Sequence, residues 1–219
     1  MASTTASITR ILPLLLLLLL TVPSSSSYIK FDLHGNVYPV GHIYVTIKIG
    51  EPAKEYNLDV DTGSILTWLQ CHDPNCRGDC KKWRQPHPYY ELTPGKVLPR
   101  NDPLCRELHP VPGEQKCRYR IAYAHGNSKG LLIRDKLTLP SRNAQQSIAF
   151  GCGYDQPGVP APVDGILAHG RGPSVTLISQ LKRERAITKD LITHYITMQD
   201  RIVIYDNEGS QIGWAHHSC

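Results

Sequence analysis

One short stretch, residues 56–64, limits what this chain can fold into more than any other. Tyr56, Leu58 and Val60 alternate with polar residues, which predicts a strand with one face buried and one face exposed. The strand runs directly into a turn that begins at Asp61. The sequence therefore predicts a carboxylate displayed at the end of a strand.

The turn after this strand reads Asp61-Thr62-Gly63-Ser64. Gly63 can adopt positive φ without steric cost, which suits a tight turn. The hydroxyls of Thr62 and Ser64 can donate hydrogen bonds to the Asp61 carboxylate and would favour its ionised form. A pattern this short also occurs by chance, as an Asx-type turn that ends a strand.

Later blocks of the sequence favour a specific site over a chance turn. Residues 119–130, 150–156 and 164–167 follow the turn, and in order and spacing they resemble blocks of the pepsin-like aspartic peptidases. Within that family the chain resembles the cysteine-rich plant members called nucellin-like aspartic proteases. The resemblance implies an all-β fold of the pepsin-like N-terminal lobe, with barrel-like antiparallel sheets and a flap hairpin. High Pro and Gly content with tyrosine-rich and β-branched runs also favours an all-β architecture.

The resemblance implies a catalytic role for the loop that contains Asp61. In the family, Asp-Thr-Gly-Ser loops supply two catalytic carboxylates, so Asp61 would be one of them, on a loop completed by Thr62, Gly63 and Ser64. Two carboxylates about 3 Å apart cannot both ionise, so one holds a proton as general acid and the other activates water as general base. The reaction expected is hydrolysis of a peptide bond in a peptide or protein substrate.

Residues 117–138 predict a hairpin, because two alternating runs flank a Gly- and Asn-containing turn. In the family this hairpin is the flap that closes over the substrate. Tyr123 matches the flap tyrosine, and Trp68 matches the tryptophan that hydrogen-bonds with it. Core packing is the alternative role for both aromatic side chains. His125 stands where relatives commonly carry an acidic residue, which would alter the position of the flap.

Near the start of the chain, Arg10 precedes an apolar run from Ile11 to Val22, and serines follow at 24–27. This run is shorter than the roughly 20 residues that cross a bilayer as a helix, so it predicts a cleaved secretory signal and no transmembrane span. We therefore expect a secreted, apoplastic or vacuolar protein. Its domain organisation is expected to be a signal peptide over 1–27, the N-terminal lobe over 28–195, and remnant C-terminal strands of a second lobe over 196–219.

The expected second lobe is otherwise missing from the sequence. Residues 196–206 and 212–214 resemble the extreme C-terminal strands of the family, and no second Asp-Thr-Gly or Asp-Ser-Gly occurs in the 219 residues. A lone Asp61 lacks its acid–base partner, and losing one member of such a pair typically removes a factor of about 10² to 10⁴ in rate. The expectation is an aspartic endopeptidase by family that is inactive as a monomer.

Three hypotheses compete. Self-association could bring Asp61 from two chains together across a twofold axis. Alternatively, the chain is a secreted, non-catalytic binding or decoy lobe for a protein or a wall polysaccharide. The third hypothesis is a truncated splice or gene-model product that folds poorly, because deletion of a lobe exposes apolar surface.

Cysteine use favours an oxidising compartment. Six of the 7 cysteines lie between residues 71 and 152, and their pairing is open because six can pair in 15 ways. The segment from Cys71 to Cys80 could hold zinc through His72, but disulfides are favoured there. The disulfide candidates are Cys71, Cys76, Cys80, Cys105, Cys117, Cys152 and Cys219.

Other ligands receive little support from the sequence. A net charge of +5 is mild, and its basic clusters are typical of a solvated face and not of a nucleic-acid site. Neither a phosphate-binding Gly-rich loop nor a metal-binding helix motif is present, so no cofactor is expected. Three histidines outside the motifs, His72, His87 and His109, are expected to be exposed loop residues.

Two expectations concern the strand and helix near the Asp61 loop. His169 stands in a supporting strand where the family has an apolar residue, and a buried imidazole without a partner costs about 1 to 3 kcal/mol. Ser174 is expected to cap a short helix whose apolar face carries Val175, Leu177, Ile178 and Leu181.

Overall fold

The computed structural model describes residues 28–36, 41–72, 85–110, 113–124, 126–140, 144–157, 163–189, 191–196 and 201–206. The expected signal peptide, His125, Cys76, Cys80, Cys219 and residues 212–214 lie outside the described residues. Within the described ranges the chain is built mainly of strands. These are β1 (Ile29–Asn36), β2 (His42–Ile49), β3 (Lys54–Asp61), β4 (Trp68–Gln70), β5 (Arg118–Tyr123), β6 (Gly126–Leu139), β7 (Ala144–Asp155), β8 (Gly165–Ala168), β9 (Leu191–Ile196) and β10 (Arg201–Asp206).

The strands form one mixed sheet whose middle closes on itself. Strand β6 pairs with β7 at one side and, through Leu137 and Thr138, with β2 at the other. The closed ring therefore runs β6-β7-β4-β8-β3-β2 and back to β6, while β5 extends outward from β6. Strands β1, β10 and β9 continue outward from β2 in that order. The prediction of an all-β, barrel-like lobe is confirmed.

Strands β2 and β3 form the antiparallel hairpin that the alternating pattern predicts. Tyr44 lies opposite Asp59, and Ile49 lies opposite Lys54. Apolar side chains on one face of each strand, including Val45 and Leu58, are fully buried. Burial of an apolar side chain of this size contributes about 1.5 to 3 kcal/mol to stability. A one-residue slip in register would expose these side chains, so their burial fixes the register and with it the face of β3 that carries Asp61.

Strand β1 is an element that our sequence reading did not predict. Its Ile29, Phe31 and Leu33 are buried, and it pairs antiparallel with β2 on one side and with β10 on the other. Strand β9 pairs with β10 as an antiparallel hairpin. The hairpin spans residue 195, where the sequence suggested the end of the lobe.

Short helical elements lie between the strands. They are a 3₁₀ turn (Pro94–Lys96), helix α1 (Pro103–Arg106) and helix α2 (Leu177–Arg183). The cap of α2 is Thr176, whose Oγ1 accepts the Ser179 N–H at 3.2 Å, so the prediction of Ser174 as the cap is wrong. The apolar face of α2 is buried as expected. None of the helices in the described part of the chain is long and apolar enough to span a membrane.

Two disulfides close parts of the barrel. Cys71 at the end of β4 bonds with Cys152 in β7, with a Cα–Cα distance of 5.3 Å. Cys105 in α1 bonds with Cys117 before β5, with a Cα–Cα distance of 5.7 Å. All four cysteines are buried, so α1 is joined to the core through its buried residues Leu104 and Cys105.

Candidate functional site

Asp61 is the last residue of β3, between two neighbouring strands of the ring. Strand β8 runs parallel to β3, with Ala168 opposite Asp61. Just beyond β8, the His169 N–H donates to the Asp61 carbonyl at 2.7 Å. The backbone of Asp61 is therefore held by β8 and the residue that follows it. The Asp61 side chain lies at the start of the turn, where it is partly exposed.

The carboxylate of Asp61 accepts a backbone hydrogen bond and none from the predicted hydroxyls. The Gly63 N–H donates to Asp61 Oδ1 at 2.8 Å. Within the described residues, Ser64 Oγ is buried and has no hydrogen-bond partner, so the predicted Ser64 hydrogen bond to the carboxylate is not formed. A main-chain N–H therefore takes the place of the predicted hydroxyl donor to the carboxylate.

Gly63 is needed for a reason other than the predicted one. It does not adopt positive φ. A Cβ at this position would lie 3.2 Å from Asp61 Oδ1, which is tighter than ordinary van der Waals contact. The glycine therefore lets the carboxylate fold back onto the turn.

The backbone that follows β8 also approaches the Asp61 turn closely. The Gly170 N–H donates to the Ser64 carbonyl at 2.8 Å, and a Cβ on Gly170 would collide with that carbonyl oxygen. Thr67 Oγ1 accepts the Ala168 N–H at 3.1 Å. The turn and the end of β8 are therefore joined by several hydrogen bonds.

Two aromatic residues from distant strands meet beside this turn. The Trp68 Nε1–H donates to Tyr123 Oη at 2.8 Å. Trp68 is buried, with 2% of its surface exposed, and Tyr123 packs against the same apolar cluster. Burial raises the pKa of Tyr123 to about 12, and the charge of Asp61 adds to this rise. The hairpin of β5 and β6, which pairs up to Tyr123 and Gly126, thus holds Tyr123 within electrostatic reach of Asp61.

Asp59 lies on the same face of β3 as Asp61, although it is not among the predicted site residues. Burial raises the pKa of Asp59, the nearby His42 opposes this rise, and the charge of Asp61 adds to it. His42 Nδ1 lies 3.5 Å from Asp59 Oδ2. The alternating pattern of β3 indicates this shared face from the sequence, because residues two apart on a strand point to the same side.

His169 is buried, with 5% of its surface exposed, but it has a partner. Its Nδ1 lies 3.1 Å from Nε2 of His194 on β9. The expected cost of an unpartnered polar ring therefore does not arise. Burial, and to a smaller extent the neighbouring His194, lowers the pKa of His169 to about 3. Burial also lowers the pKa of His194.

A second histidine departs from its predicted exposed position. His87 donates its backbone N–H to Asp164 Oδ1 at 3.0 Å, and its Nδ1 lies 2.7 Å from Asp164 Oδ2. Asp164 is 1% exposed and also accepts the Asn57 N–H at 2.6 Å. His87 therefore fixes its loop to β3 through a buried carboxylate. His72 and His109 are exposed as predicted.

Comparison with known proteins identifies the family. Residues 44–201, which contain the Asp61 turn, the hairpin of β5 and β6 and the supporting strand β8, match the family described as Xylanase inhibitor N-terminal. The chain belongs to this family. The family is the N-terminal region of plant pepsin-like aspartic peptidases, so the predicted membership of the pepsin-like aspartic peptidases is confirmed. The nucellin-like branch stays a prediction.

Several proteins similar to this chain are named as aspartic proteases. An aspartic proteinase from Oryza sativa subsp. japonica is 45% identical over 208 residues, which cover 88% of this chain and 48% of the relative. An aspartyl protease from Arabidopsis thaliana is 33% identical over 135 residues, covering 60% of this chain and 28% of the relative. Aspartic proteinase nepenthesin-1 from Nepenthes gracilis is 30% identical over 145 residues, covering 64% and 32%. The chain thus spans at most about half the length of these curated relatives.

Proposed function

We propose that this chain supplies one carboxylate, Asp61, to the site of an aspartic endopeptidase. The observation that carries the proposal is the placement of that carboxylate. It lies at the end of β3, accepts the Gly63 N–H at 2.8 Å, and shares its electrostatic environment with the flap residue Tyr123. A hydrogen-bonded, partly exposed carboxylate at a strand end is suited to activate water as a general base.

The proposed reaction needs a second carboxylate that holds a proton. Asp59 shares a face with Asp61, but it is engaged with His42 at 3.5 Å. The second acid is therefore expected from outside this lobe. For the 219-residue chain, the proposed source is Asp61 of a second copy across an isologous interface. A monomer is expected to be inactive on peptide or protein substrates.

The Trp68–Tyr123 pair is proposed to position the substrate. The hydrogen bond from the indole fixes the phenol ring at the end of β5, next to the turn between β5 and β6. A peptide lying over Asp61 would contact this ring first. Thr62, which is exposed beside Asp61, is proposed to complete the catalytic loop with Gly63 and Ser64.

We also propose that the chain acts in the secretory pathway, outside the cell or in the vacuole. The apolar run of residues 11–22 and the two disulfides support this location. Fractionation of cells that express the tagged full chain tests it. Recovery of the protein in the cytosol with its cysteines reduced would overturn it.

Cleavage of a protein substrate between pH 3 and 6 tests the catalytic proposal. Asp61→Asn is expected to abolish cleavage, and pepstatin is expected to inhibit it. Asp155→Asn is the matched control, because Asp155 is 40% exposed and pairs with Lys129 rather than with a residue of the Asp61 turn. Cleavage that survives in Asp61→Asn at the rate of the control would overturn the proposal.

A non-catalytic binding lobe is a second candidate. It is favoured because the 219 residues contain a single Asp-Thr-Gly and because the matched family is described by an inhibitor. Retention of a protein or polysaccharide from a wall extract, equal for the wild type and Asp61→Ala, would support it. Loss of retention in Asp61→Ala would contradict it.

A further inference from the structure

The contact between His169 and His194 joins two parts of the fold that the backbone does not pair directly. His169 follows β8, and its N–H donates to the Asp61 carbonyl at 2.7 Å. His194 lies in β9, which pairs with β10 and lies at the end of the strand order. The hydrogen bond of 3.1 Å between their rings therefore connects the outermost strand to the Asp61 turn.

A cavity of about 770 Å³ opens beside this contact. Both imidazoles line it, together with Thr62 of the Asp61 turn and Ile192 of β9. Helix α2 and its cap contribute the uncharged residues Thr176, Ile178 and Ser179. Movement of β9 away from the turn would enlarge this cavity directly next to Thr62.

The hydrogen bond between the rings depends on their protonation. Such a bond needs one nitrogen as donor and one as acceptor, and two fully protonated imidazoles offer donors only. Two positive charges would also face each other at 3.1 Å, in surroundings that bury His169 almost completely. The docked arrangement therefore excludes the doubly protonated pair.

The charged groups that the described part of the chain places near the pair can be named. Asp61 approaches from the end of β3 through its carbonyl. Arg171 lines the same cavity from the loop after His169. Strand β10 places Val203 opposite His194. The surroundings thus offer the charged pair an arginine and no carboxylate among the cavity-lining residues of the described chain.

We propose that His169 and His194 are an acid-released positioning pair, which holds β9 against the Asp61 turn when neutral and frees β9 when protonated. Release would open the cavity beside Thr62. The consequence for catalysis, that acid uncovers the surface next to Asp61, rests on the proposed function. The release itself concerns only the fold.

The size of the effect follows from proton linkage. A released His169 titrates at its ordinary value of 6.5, whereas burial holds the pKa of docked His169 at about 3. The released state therefore binds a proton that the docked state refuses, and acidification favours release. Between pH 7 and pH 5 the equilibrium for release of β9 is expected to rise about 25-fold from His169 alone.

Hydrogen exchange of the β9 amides, residues 191–196, tests the proposal with the full chain at pH 7 and pH 5. Rates are corrected for the intrinsic pH dependence of exchange. The wild type is expected to show at least about a 25-fold rise in opening. His169→Leu removes the buried imidazole and is expected to show only the smaller rise due to His194, while His194→Gln should show an intermediate rise. His34→Gln, which changes an exposed histidine on β1, is the control and should behave as the wild type.

Two results would overturn the proposal. One is an opening equilibrium of β9 that does not change between pH 7 and pH 5 in the wild type. The other is an equal rise in His169→Leu and the wild type. If His169→Leu does not fold, titration of the imidazole ¹⁵N signals of the wild type decides, since one histidine must stay neutral well below pH 6. Asp61→Asn should open like the wild type, so failure of the catalytic proposal leaves this result unaffected.

Discussion

The indole of Trp68 and the phenol of Tyr123 are joined by a hydrogen bond of 2.8 Å between residues 55 positions apart in the chain. The bond ties β4, which is inside the closed ring, to β5, which extends outside it. The hairpin of β5 and β6 is thereby anchored over the Asp61 turn. Its loss should affect both stability and the proposed substrate site.

Tyr123→Phe removes the acceptor and leaves the buried Trp68 Nε1–H without a partner. An unsatisfied buried donor costs about 1 to 3 kcal/mol, so the free energy of unfolding in urea should fall by that amount. Tyr44→Phe is the control, since Tyr44 is only partly buried in β2 and its substitution should stay within about 0.5 kcal/mol. Equal effects of the two substitutions would contradict the anchoring role.

Asp164→Asn should destabilise the fold strongly. The buried carboxylate accepts the Asn57 N–H and faces both the N–H and the ring of His87, and an amide cannot replace both oxygens as acceptors. Hydrogen bonds to a charged group contribute about 1.5 to 3 kcal/mol each, so a loss of at least about 2 kcal/mol is expected in chemical denaturation. Asp155→Asn, in an exposed ion pair with Lys129, should cost less than about 1 kcal/mol. Similar losses for both would show that Asp164 is not an anchor.

Asp59 should make the fold less stable as the pH rises. Burial raises its folded-state pKa above the ordinary value of 3.8, so the folded state holds a proton that the unfolded state has already released. The stability that Asp59 contributes is therefore present at low pH and is lost as the pH rises through 3.8 and the raised folded value. In Asp59→Asn this loss disappears, and the variant should gain stability over the wild type between pH 3 and pH 6. A constant difference across that range would refute the assignment.

Gly170→Ala tests the support of the Asp61 turn. A methyl group at this position would collide with the Ser64 carbonyl, and overpacking of this kind costs about 1 to 3 kcal/mol. Gly95→Ala is the matched control, because a Cβ there meets no atom within 4 Å. The melting temperature should fall for Gly170→Ala and stay unchanged or rise for Gly95→Ala. A normal melting temperature for Gly170→Ala would mean that the turn has room to shift.

The strand pattern of the fold could be predicted because it depends on local alternation. Val45 and Leu58 lie on the buried faces of β2 and β3, as period-2 alternation indicates. Strand β1 shows the same alternation at Ile29, Phe31 and Leu33, so its local pattern also indicates a strand. The helix cap was misplaced by two residues, since Ser174 and Thr176 are both good cap residues.

The site could be predicted only as far as its motifs reach. The hairpin that carries Tyr123 followed from turn chemistry and resemblance. The partner of His169 lies 25 positions away in β9, and only the packing of β9 next to the end of β8 brings His194 to it. The roles of Gly63 and of Ser64 Oγ were misjudged because they depend on the exact approach of the Asp61 carboxylate. Local sequence does not specify distances of this kind.

Asp61 is proposed to be one half of a two-carboxylate site. The dependence of the cleavage rate on chain concentration tests this proposal most directly. Initial rates of peptide cleavage by the purified chain at acidic pH are measured over a wide range of chain concentration, with Asp61→Asn in parallel. We expect no cleavage by the monomer and a rate that rises with the square of the chain concentration while dimers are scarce. A rate strictly proportional to concentration, from a demonstrated monomer whose activity requires Asp61, would contradict it.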